Sequence, residues 1–357
     1  MKIKISIIGL GLIGGSIAKG LKKSDPDIFI SAYDKDEIIS KGLEDGAIDE
    51  RLNSIEECSS KIIFLSLPVE GSLSALKLIA PKLKRGQILT DVGSVKSVFH
   101  KSWKEISSGG IYIGGHPMTG KEKNGYENSD PLLFQNSVYI LTRDNEEKEI
   151  EPELLRIVKD LGARVSIMKP EVHDSIMAFV SHMPQLLSIS LVNSVADGNP
   201  GYNLLDFAAG GFRDMTRIAS SSFEMWESIL KYNRQDTINA LERYIDELST
   251  LKNNLSKNNF SKINEAFDEA RMSRDEIPKN QKGFLFPLHD VYVFAEDKPG
   301  ILNKITRILY DEDINIKDIE LLKIREGTGG TFRLSFGSED DAKGATEILR
   351  QNDFTIS

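Results

Sequence analysis

The chain is poor in cysteine and has no long hydrophobic run. Cys58 is the only cysteine among 357 residues, so we expect neither a disulfide framework nor a thiolate metal cluster, which is typical of a reducing compartment. No apolar run approaches the roughly 20 residues that a membrane span needs. The first residues lead directly into a strand pattern without a cleavable signal. The sequence therefore predicts a cytoplasmic protein with no membrane partner.

Positive charge is also scarce. The 45 Lys and Arg residues face 54 Asp and Glu residues, a net charge of −9, which argues against nucleic acid as a partner. An anionic small molecule is still compatible if a few cations gather at one place. The length predicts two or three domains of ordinary globular composition.

The opening of the chain carries the clearest motif. An apolar run rich in β-branched residues precedes Gly9, Gly11 and Gly14 at G-x-G-x-x-G spacing, and a helical pattern follows. The first glycine permits a tight turn, the second lets a pyrophosphate approach, and the third lets the helix pack on the strand. The start of that helix offers free N–H groups to the phosphates. A dinucleotide site is predicted from Gly9, Gly11, Leu12, Ile13 and Gly14.

Two further positions belong to this predicted cofactor site. A second strand pattern ends at Asp34, the usual distance for an acid that binds a ribose 2′-hydroxyl. Because a carboxylate repels a 2′-phosphate, NAD is favoured over NADP, although Lys35 is a weak counter-signal. Ser66 ends a third buried strand, where open α/β sheets face their cofactor.

Alternating strand and helix patterns up to position 169 predict a doubly wound parallel sheet, a Rossmann domain. Residues 170–283 are helical in pattern, with a loop at 197–201 and a polar linker at the end. We expect this all-α domain to form a homodimer. Residues 287–357 follow a βαββαβ order, typical of a ferredoxin-like α+β unit. The predicted domains are thus 1–169, 170–283 and 287–357.

His116 is the strongest candidate for acid–base chemistry among five histidines. It follows a strand and two glycines and precedes Pro117, so we expect a constrained loop at the sheet's ligand crevice. Ser94, in Asp-Val-Gly-Ser-Val-Lys, also follows a strand. The simpler interpretation is a helix cap, and a capping Ser94 can still present its hydroxyl to His116. His100, His173 and His289 are interpreted as structural or solvated.

A second group of candidates lies in the helical region. Pro184 interrupts a helical pattern and would bend it, which could aim His182 into a cleft, although a core histidine explains the pattern equally well. Paired glycines precede Arg213 and Arg217, one helical turn apart. Two guanidiniums on one face could clamp a carboxylate, whereas a surface helix with ion pairs is the simpler interpretation.

Five segments together resemble one family. GLGLIGGS, DVGSVK, GGHPMTGKEKNG, SHMPQ and GGFRDMTRIA, in this order, are similar to prephenate dehydrogenases of tyrosine biosynthesis. The C-terminal unit, with Asp-Lys-Pro-Gly-Ile-Leu at 297–302, resembles an ACT regulatory domain. The resemblance covers nearly the whole chain.

The resemblance implies NAD-dependent oxidative decarboxylation of prephenate to 4-hydroxyphenylpyruvate. His116 matches the histidine that accepts a hydrogen bond from the ring hydroxyl, and Ser94 the serine that orients it. Arg217 matches an arginine that binds a substrate carboxylate, and His182 a second polar contact. Arg213 stands where many relatives have lysine. Tyrosine is the natural effector candidate for the ACT-like domain.

Three other interpretations stay open at this point. Arogenate dehydrogenase performs the same chemistry on the transaminated substrate. A β-hydroxyacid dehydrogenase shares the domain order, but that class generally uses a catalytic lysine and does not carry Gly-Gly-His-Pro or an ACT unit. A non-catalytic amino-acid or nucleotide sensor would need none of Ser94, His116, His182 and Arg217.

Overall fold

The computed structural model describes residues 3–121, 123–144, 149–196, 201–276, 288–325 and 329–356. Its contacts group the chain into two compact units, Met1–Ile263 and Asn264–Ser357. The first two predicted domains therefore lie within one unit. Their predicted boundary at 169/170 falls between a strand that ends at Met168 and a helix that begins at Pro170.

The first unit is organised around an eight-stranded sheet of order β3-β2-β1-β4-β5-β6-β7-β8. The first six strands pair in parallel, in the order of a dinucleotide-binding Rossmann fold, which confirms the predicted fold class. The strands are β1 Lys4–Ile8, β2 Phe29–Tyr33, β3 Glu50–Arg51, β4 Ile62–Leu65, β5 Ile88–Asp91, β6 Ile111–Pro117, β7 Val138–Thr142 and β8 Arg164–Met168.

The sheet departs from the fully parallel prediction at its last two strands. β7 runs antiparallel to β6, and β8 runs parallel to β7. A parallel neighbour needs a crossover, usually a helix. The described residues between β6 and β7 contain only a short 3₁₀ turn at Tyr126–Asn128.

Helices cover both faces of this sheet. They are α1 Leu12–Ser24, α2 Asp36–Glu44, α3 Val69–Ile79, α4 Ser97–Lys104 and α5 Pro152–Asp160. Successive residues of a strand point to opposite faces of the sheet and pack in different apolar cores. Ile7 packs with α1 and α5 on one face, and Ile8 packs with α3 on the other. The buried strands therefore read as continuous apolar runs.

The rest of the first unit is helical, as predicted. It contains α6 Pro170–Met177, a π-helical turn Ala178–His182, α7 Met183–Ala196, α8 Gly210–Thr216, α9 Phe223–Tyr232 and α10 Arg234–Ser256. Helix α11, Phe260–Glu276, begins in the first unit and continues past its end at Ile263, in the stretch that the sequence predicts as a helix extension and linker. Most of the predicted loop at 197–201 and the end of the predicted linker lie outside the described residues.

The π-helical turn explains how the chain accommodates Pro184. Met183 N–H donates to the carbonyl of Ala178, five residues earlier. Proline has no N–H and clashes with the preceding turn, so a widened turn just before it relieves that conflict. The predicted distortion is present, as a π bulge at His182.

The continuous helical stretch Pro170–Ala196 is, by length and composition alone, able to cross a membrane. The sequence pattern predicts no membrane span here. Five buried polar residues interrupt its apolar surface: His173, Asp174, His182, Gln185 and Ser188. Hydrogen bonds join His173 and Asp174 to β6 and to the start of α4, so one face of this helix packs on the sheet domain.

The second unit has the predicted βαββαβ order. β9 His289–Ala295, α12 Ile301–Asp311, β10 Ile316–Arg325, β11 Gly329–Phe336, α13 Glu339–Gln351 and β12 Thr355–Ile356 form it. The antiparallel sheet has the order β10-β11-β9-β12. Helices α12 and α13 pack on it through an apolar core that includes Ile305, Leu349 and Phe336.

Candidate active site

The glycine-rich loop after β1 has the geometry that its spacing predicts. Gly9 has φ +97°, a conformation that favours glycine. A Cβ on Gly14 would lie 2.0 Å from the Gly9 carbonyl oxygen, so only glycine permits this close packing of α1. A Cβ on Gly11 would meet no protein atom within 4 Å. The loop is therefore closed toward the protein and open on the side of the predicted pyrophosphate.

The other predicted cofactor residues frame this loop. Asp34 accepts hydrogen bonds from the backbone N–H of Leu10 at 2.6 Å and of Lys35 at 2.7 Å, which keeps its carboxylate beside the glycines. The Ser66 hydroxyl, just after β4, is buried with no hydrogen-bond partner among the described residues. The helix α1 begins at Leu12, so Leu12, Ile13 and Gly14 present N–H groups at its first turn. These features fit a dinucleotide.

His116 lies within β6 rather than in the predicted loop. The strand continues through Pro117 because Gly114–Pro117 pair with β7, with His116 opposite Ile140. Since β1, β4, β5 and β6 are parallel, their carboxyl ends meet at one edge of the sheet. His116, at the end of β6, thus belongs to the same edge as the glycine loop and Ser66.

The neighbours of His116 come from the helical region. Its Nδ1 lies 2.8 Å from Nε2 of His173, and Nδ1 of His173 lies 2.8 Å from Oδ1 of Asp174. Both carboxylate oxygens of Asp174 also cap α4, since they accept from the N–H groups of Lys96 at 2.7 Å and Ser97 at 2.8 Å. One carboxylate therefore supports a histidine pair and a helix N-terminus.

This arrangement bears on two expectations. His173 was interpreted as structural or solvated, and the structure excludes the solvated alternative, because the residue is fully buried against His116. A lone histidine near a helix start carries no signal for a contact with a strand 57 positions away. Ser94 does not cap a helix: α4 begins at Ser97, and Asp174 caps it. In the described part of the chain the Ser94 side chain has no hydrogen-bond partner, His116 included.

A buried ion pair holds the backbone before His116. Lys96 donates from Nζ to a carboxylate oxygen of Asp91 and, at 2.7 Å, to the carbonyl of Gly115. Asp91 also accepts from the Tyr112 hydroxyl at 2.7 Å. Within the Asp-Val-Gly-Ser-Val-Lys segment the sequence indicates Ser94 but not Lys96, because a lysine predicts a solvated side chain.

His182 is buried at the π bulge. Its Nδ1 lies 3.1 Å from Nδ2 of Asn233, and its ring meets Trp226 edge-on at 6.0 Å between centroids. Asn233 also donates to the backbone carbonyl of Asp174 at 2.7 Å, which connects His182 to the His116 cluster. Burial lowers the pKa of His182 to about 4, so the ring is neutral near pH 7.

The two arginines occupy different elements. Helix α8 ends at Thr216, and Arg217 begins a 3₁₀ turn, Arg217–Ser220. The expectation of one α-helix carrying both is therefore wrong, because the helix tightens before Arg217. Both side chains are exposed, and Arg213 donates to the carbonyl of Ala208 at 3.3 Å. Gln185, one turn beyond His182, donates to the Ile218 carbonyl at 2.9 Å and holds the 3₁₀ turn against α7.

A Rossmann loop beside a buried histidine cluster at one sheet edge defines a nicotinamide-dependent dehydrogenase. Family models match the chain as the nucleotide-binding domain of prephenate dehydrogenase at 17–167, its dimerization domain at 169–269 and an ACT domain at 289–354. The chain belongs to the prephenate dehydrogenase family and is an NAD-dependent oxidoreductase.

Individual relatives agree with this assignment. The chain is 36% identical to the prephenate dehydrogenase of Bacillus subtilis (strain 168), over 98% of this chain and 96% of that one. It is similar to the crystal structure of the A. aeolicus prephenate dehydrogenase in complex with hydroxyphenyl propionate and NAD⁺, with a TM-score of 0.71 and 33% identity over 78% and 99% of the two chains. It is also similar to the crystal structure of the Synechocystis arogenate dehydrogenase, with a TM-score of 0.69 and 28% identity over 77% of this chain and 100% of that one.

Proposed function

We propose that this enzyme oxidatively decarboxylates prephenate to 4-hydroxyphenylpyruvate, with His116 and Ser94 at the reacting ring and His182, Arg213 and Arg217 as the substrate-binding residues. The observation that carries the proposal is the position of His116, at the end of β6 on the sheet edge that holds the glycine loop. NAD, when bound, accepts a hydride. The protein has to place the substrate's ring carbon toward it and to receive the hydroxyl proton.

His116 supplies the group that handles the proton. Burial lowers the pKa of His116 well below its usual value, and the neighbouring His173 and Lys96 lower it further. The ring is therefore neutral at pH 7 and presents a lone pair to the substrate hydroxyl. When the ring carbon that bears the hydroxyl loses its hydride, the hydroxyl oxygen becomes carbonyl-like. The ring carboxylate then leaves as CO2, and its electron pair completes the aromatic ring.

The arginines supply the charge that the substrate requires. Prephenate is a dianion and the chain carries a net charge of −9, so the substrate site needs local cations. Arg213 and Arg217 border the 3₁₀ turn that Gln185 fixes to the helix of His182. Contacts to the carboxylates should act mainly on KM, and His116 mainly on kcat.

An activity assay tests this proposal directly. Protein, NAD and either prephenate or arogenate are mixed, and NADH absorbance is followed. We expect turnover with prephenate and an orders-of-magnitude lower kcat for His116→Asn, with NAD affinity unchanged. Turnover restricted to arogenate would reassign the substrate, and near wild-type kcat in His116→Asn would remove His116 from the reaction. The similarity to an arogenate dehydrogenase makes that comparison the informative one.

We also propose a homodimer and tyrosine as an effector. Helix α10 exposes a stripe of apolar side chains at heptad-like spacing: Ile238, Ile245, Leu248, Leu251 and Leu255. A twin subunit would cover such a stripe. Sedimentation equilibrium tests the dimer, and a monomer at assay concentration contradicts it.

For the ACT domain, calorimetry with the full-length protein should detect tyrosine binding, together with inhibition of NADH formation. No heat and no inhibition would exclude this effector. We retain the cytoplasmic location predicted from the sequence.

A further inference from the structure

The contacts of His116 form a chain of three side chains whose ends differ in chemistry. Asp174 lies at one end, His173 in the middle and His116 at the other end. The N···N distance between His116 and His173 and the N···O distance between His173 and Asp174 are both 2.8 Å. His173 and Asp174 are buried, and His116 as a residue is partly buried. The free end of the chain is therefore Nε2 of His116, the atom that faces away from His173.

The protons in this chain follow from its fixed end. The Asp174 oxygen that faces His173 also accepts the Lys96 N–H, so Asp174 is an acceptor and Nδ1 of His173 donates to it. In a neutral His173, Nε2 then has only a lone pair and accepts from Nδ1–H of His116. Nε2 of His116 is left without a proton. The tautomer of one histidine is thus set by the bond that its other nitrogen makes.

We propose that His173 and Asp174 are positioning residues that hold His116 in its Nδ1–H tautomer and aim the lone pair of Nε2 at the substrate hydroxyl. This inference rests on the proposed function only for the identity of the substrate. The tautomer itself is a property of the protein without substrate.

The surroundings of the chain favour the neutral form of both rings. Burial lowers the pKa of His173, and the nearby Lys96 ammonium lowers it further, against the opposing effect of Asp174. A protonated His173 would donate from both nitrogens and would force His116 into the opposite tautomer. The charged groups around the pair are Asp174, the Lys96 ammonium and the Asp91 carboxylate, and His182 is the other titratable neighbour.

Asp174 is held rigidly enough to act as an orienting group. Its two oxygens receive two backbone N–H groups from the start of α4, and its own carbonyl accepts from Asn233. Rotation of the carboxylate would leave two N–H groups of a buried helix N-terminus without partners, which is unfavourable. The cap of α4 thereby also fixes the orientation of His173.

The tautomer can be measured without activity. The chain has only five histidines, so ¹⁵N-histidine labelling of the full-length protein and single-histidine variants would assign His116. We expect its Nε2 to resonate as a pyridine-type nitrogen and its Nδ1 as a pyrrole-type nitrogen at pH 7.5. In His173→Phe we expect this pattern to reverse or average. A wild-type His116 with its proton on Nε2 would overturn the proposal even if the enzyme turns over prephenate.

Kinetics with a conservative variant separate positioning from structure. Glutamine at position 173 can donate to Asp174 and accept from His116, whereas phenylalanine fills the space without either bond. We expect kcat to fall roughly 10- to 1,000-fold in His173→Phe. In His173→Gln we expect kcat to be at least about tenfold higher than in His173→Phe. KM for NAD should be unchanged in both variants. His100→Phe is the matched control, a buried histidine that bonds Thr142 instead. Equal kcat losses in His173→Phe and His173→Gln, or a wild-type kcat in His173→Phe, would overturn the proposal. Loss of all activity in the wild-type assay with an intact Nδ1–H tautomer would instead fault the proposed substrate.

Discussion

The ammonium of Lys96 and the carboxylate of Asp91 form an ion pair with both side chains fully buried. Burial lowers the pKa of Lys96, and Asp91 opposes this shift. The pair also fixes the backbone of Gly115, the residue before His116. Lys96 donates to the Gly115 carbonyl, and the Gly115 N–H donates to Asp91 with an N···Oδ1 distance of 3.3 Å. A structural ion pair and the position of the catalytic candidate are therefore coupled.

Lys96→Met should destabilise the first unit by about 3–5 kcal/mol, because it leaves the Asp91 carboxylate buried without its counter-charge. Both tryptophans, Trp103 and Trp226, lie in the first unit, so urea unfolding followed by tryptophan fluorescence reports on it. Lys104→Met is the matched control, at the last residue of the helix that Lys96 precedes, since its ion pair with Asp144 lies at the surface. About 1 kcal/mol or less is expected there. Equal stability of the two variants would show that the buried pair contributes no more than the exposed one.

Two glycines of the cofactor loop should respond differently to the same substitution. Gly11→Ala adds a methyl group that meets no protein atom, so we expect stability within about 1 kcal/mol of wild type and a roughly tenfold or larger rise in the Kd for NAD. Gly14→Ala places a methyl group against the Gly9 carbonyl and should destabilise by about 3 kcal/mol. Calorimetric NAD titration and urea unfolding measure the two effects. Parallel losses in both variants would contradict the assigned division of roles.

The elements of the chain were largely predictable, since strand and helix patterns are local. The cofactor loop was predictable residue by residue, because Gly9 and Gly14 answer to backbone geometry that only glycine satisfies. The direction of β7 was not predictable, because the direction of a strand depends on the path of the connection before it and not on the residue pattern of the strand itself.

The candidate catalytic cluster was only half predictable. His116 stood out because glycines and a proline surround it, whereas His173 and Asp174 come from α6 and meet it only through the packing of α6 on α4. Ser94 was expected to cap a helix on the basis of residue preference. Asp174, distant in sequence, supplies the cap instead, and no local pattern encodes such a contact.

The first unit should lose stability between pH 6.5 and 4. His182 has an ordinary pKa of 6.5 and a folded-state pKa of about 4, so in this range the unfolded chain binds a proton that the folded protein does not. The stability contribution is complete above pH 6.5. It decreases by about 1.4 kcal/mol per pH unit as the pH falls, roughly 3 kcal/mol in total. The lowered pKa values of His116 and His173 act in the same direction.

Glutamine at position 182 isolates this effect. Its amide oxygen can still accept from Asn233, but it does not titrate, so His182→Gln should lose about 3 kcal/mol less than wild type between pH 6.5 and 4. Tryptophan fluorescence in urea at a series of pH values measures the difference. His289→Gln, in the second unit, removes an imidazole outside this cluster and should follow the wild-type curve. An unchanged pH dependence in His182→Gln would mean that the imidazole is protonated alike in both states.

Gln185 connects the helix of His182 to the turn of Arg217, and its removal should act on substrate binding. Gln185→Met keeps the length of the side chain but loses the hydrogen bond to the Ile218 carbonyl. The turn that carries Arg217 then loses its attachment to α7, so we expect KM for prephenate to rise roughly tenfold while kcat changes less than threefold. Ser188→Ala is the matched control: it lies on the next turn of α7, is buried, and its hydroxyl has no hydrogen-bond partner among the described residues. We expect wild-type KM in that variant. A Gln185→Met enzyme that loses kcat and keeps its KM would place Gln185 with the reacting ring rather than with the arginines proposed to bind the carboxylates.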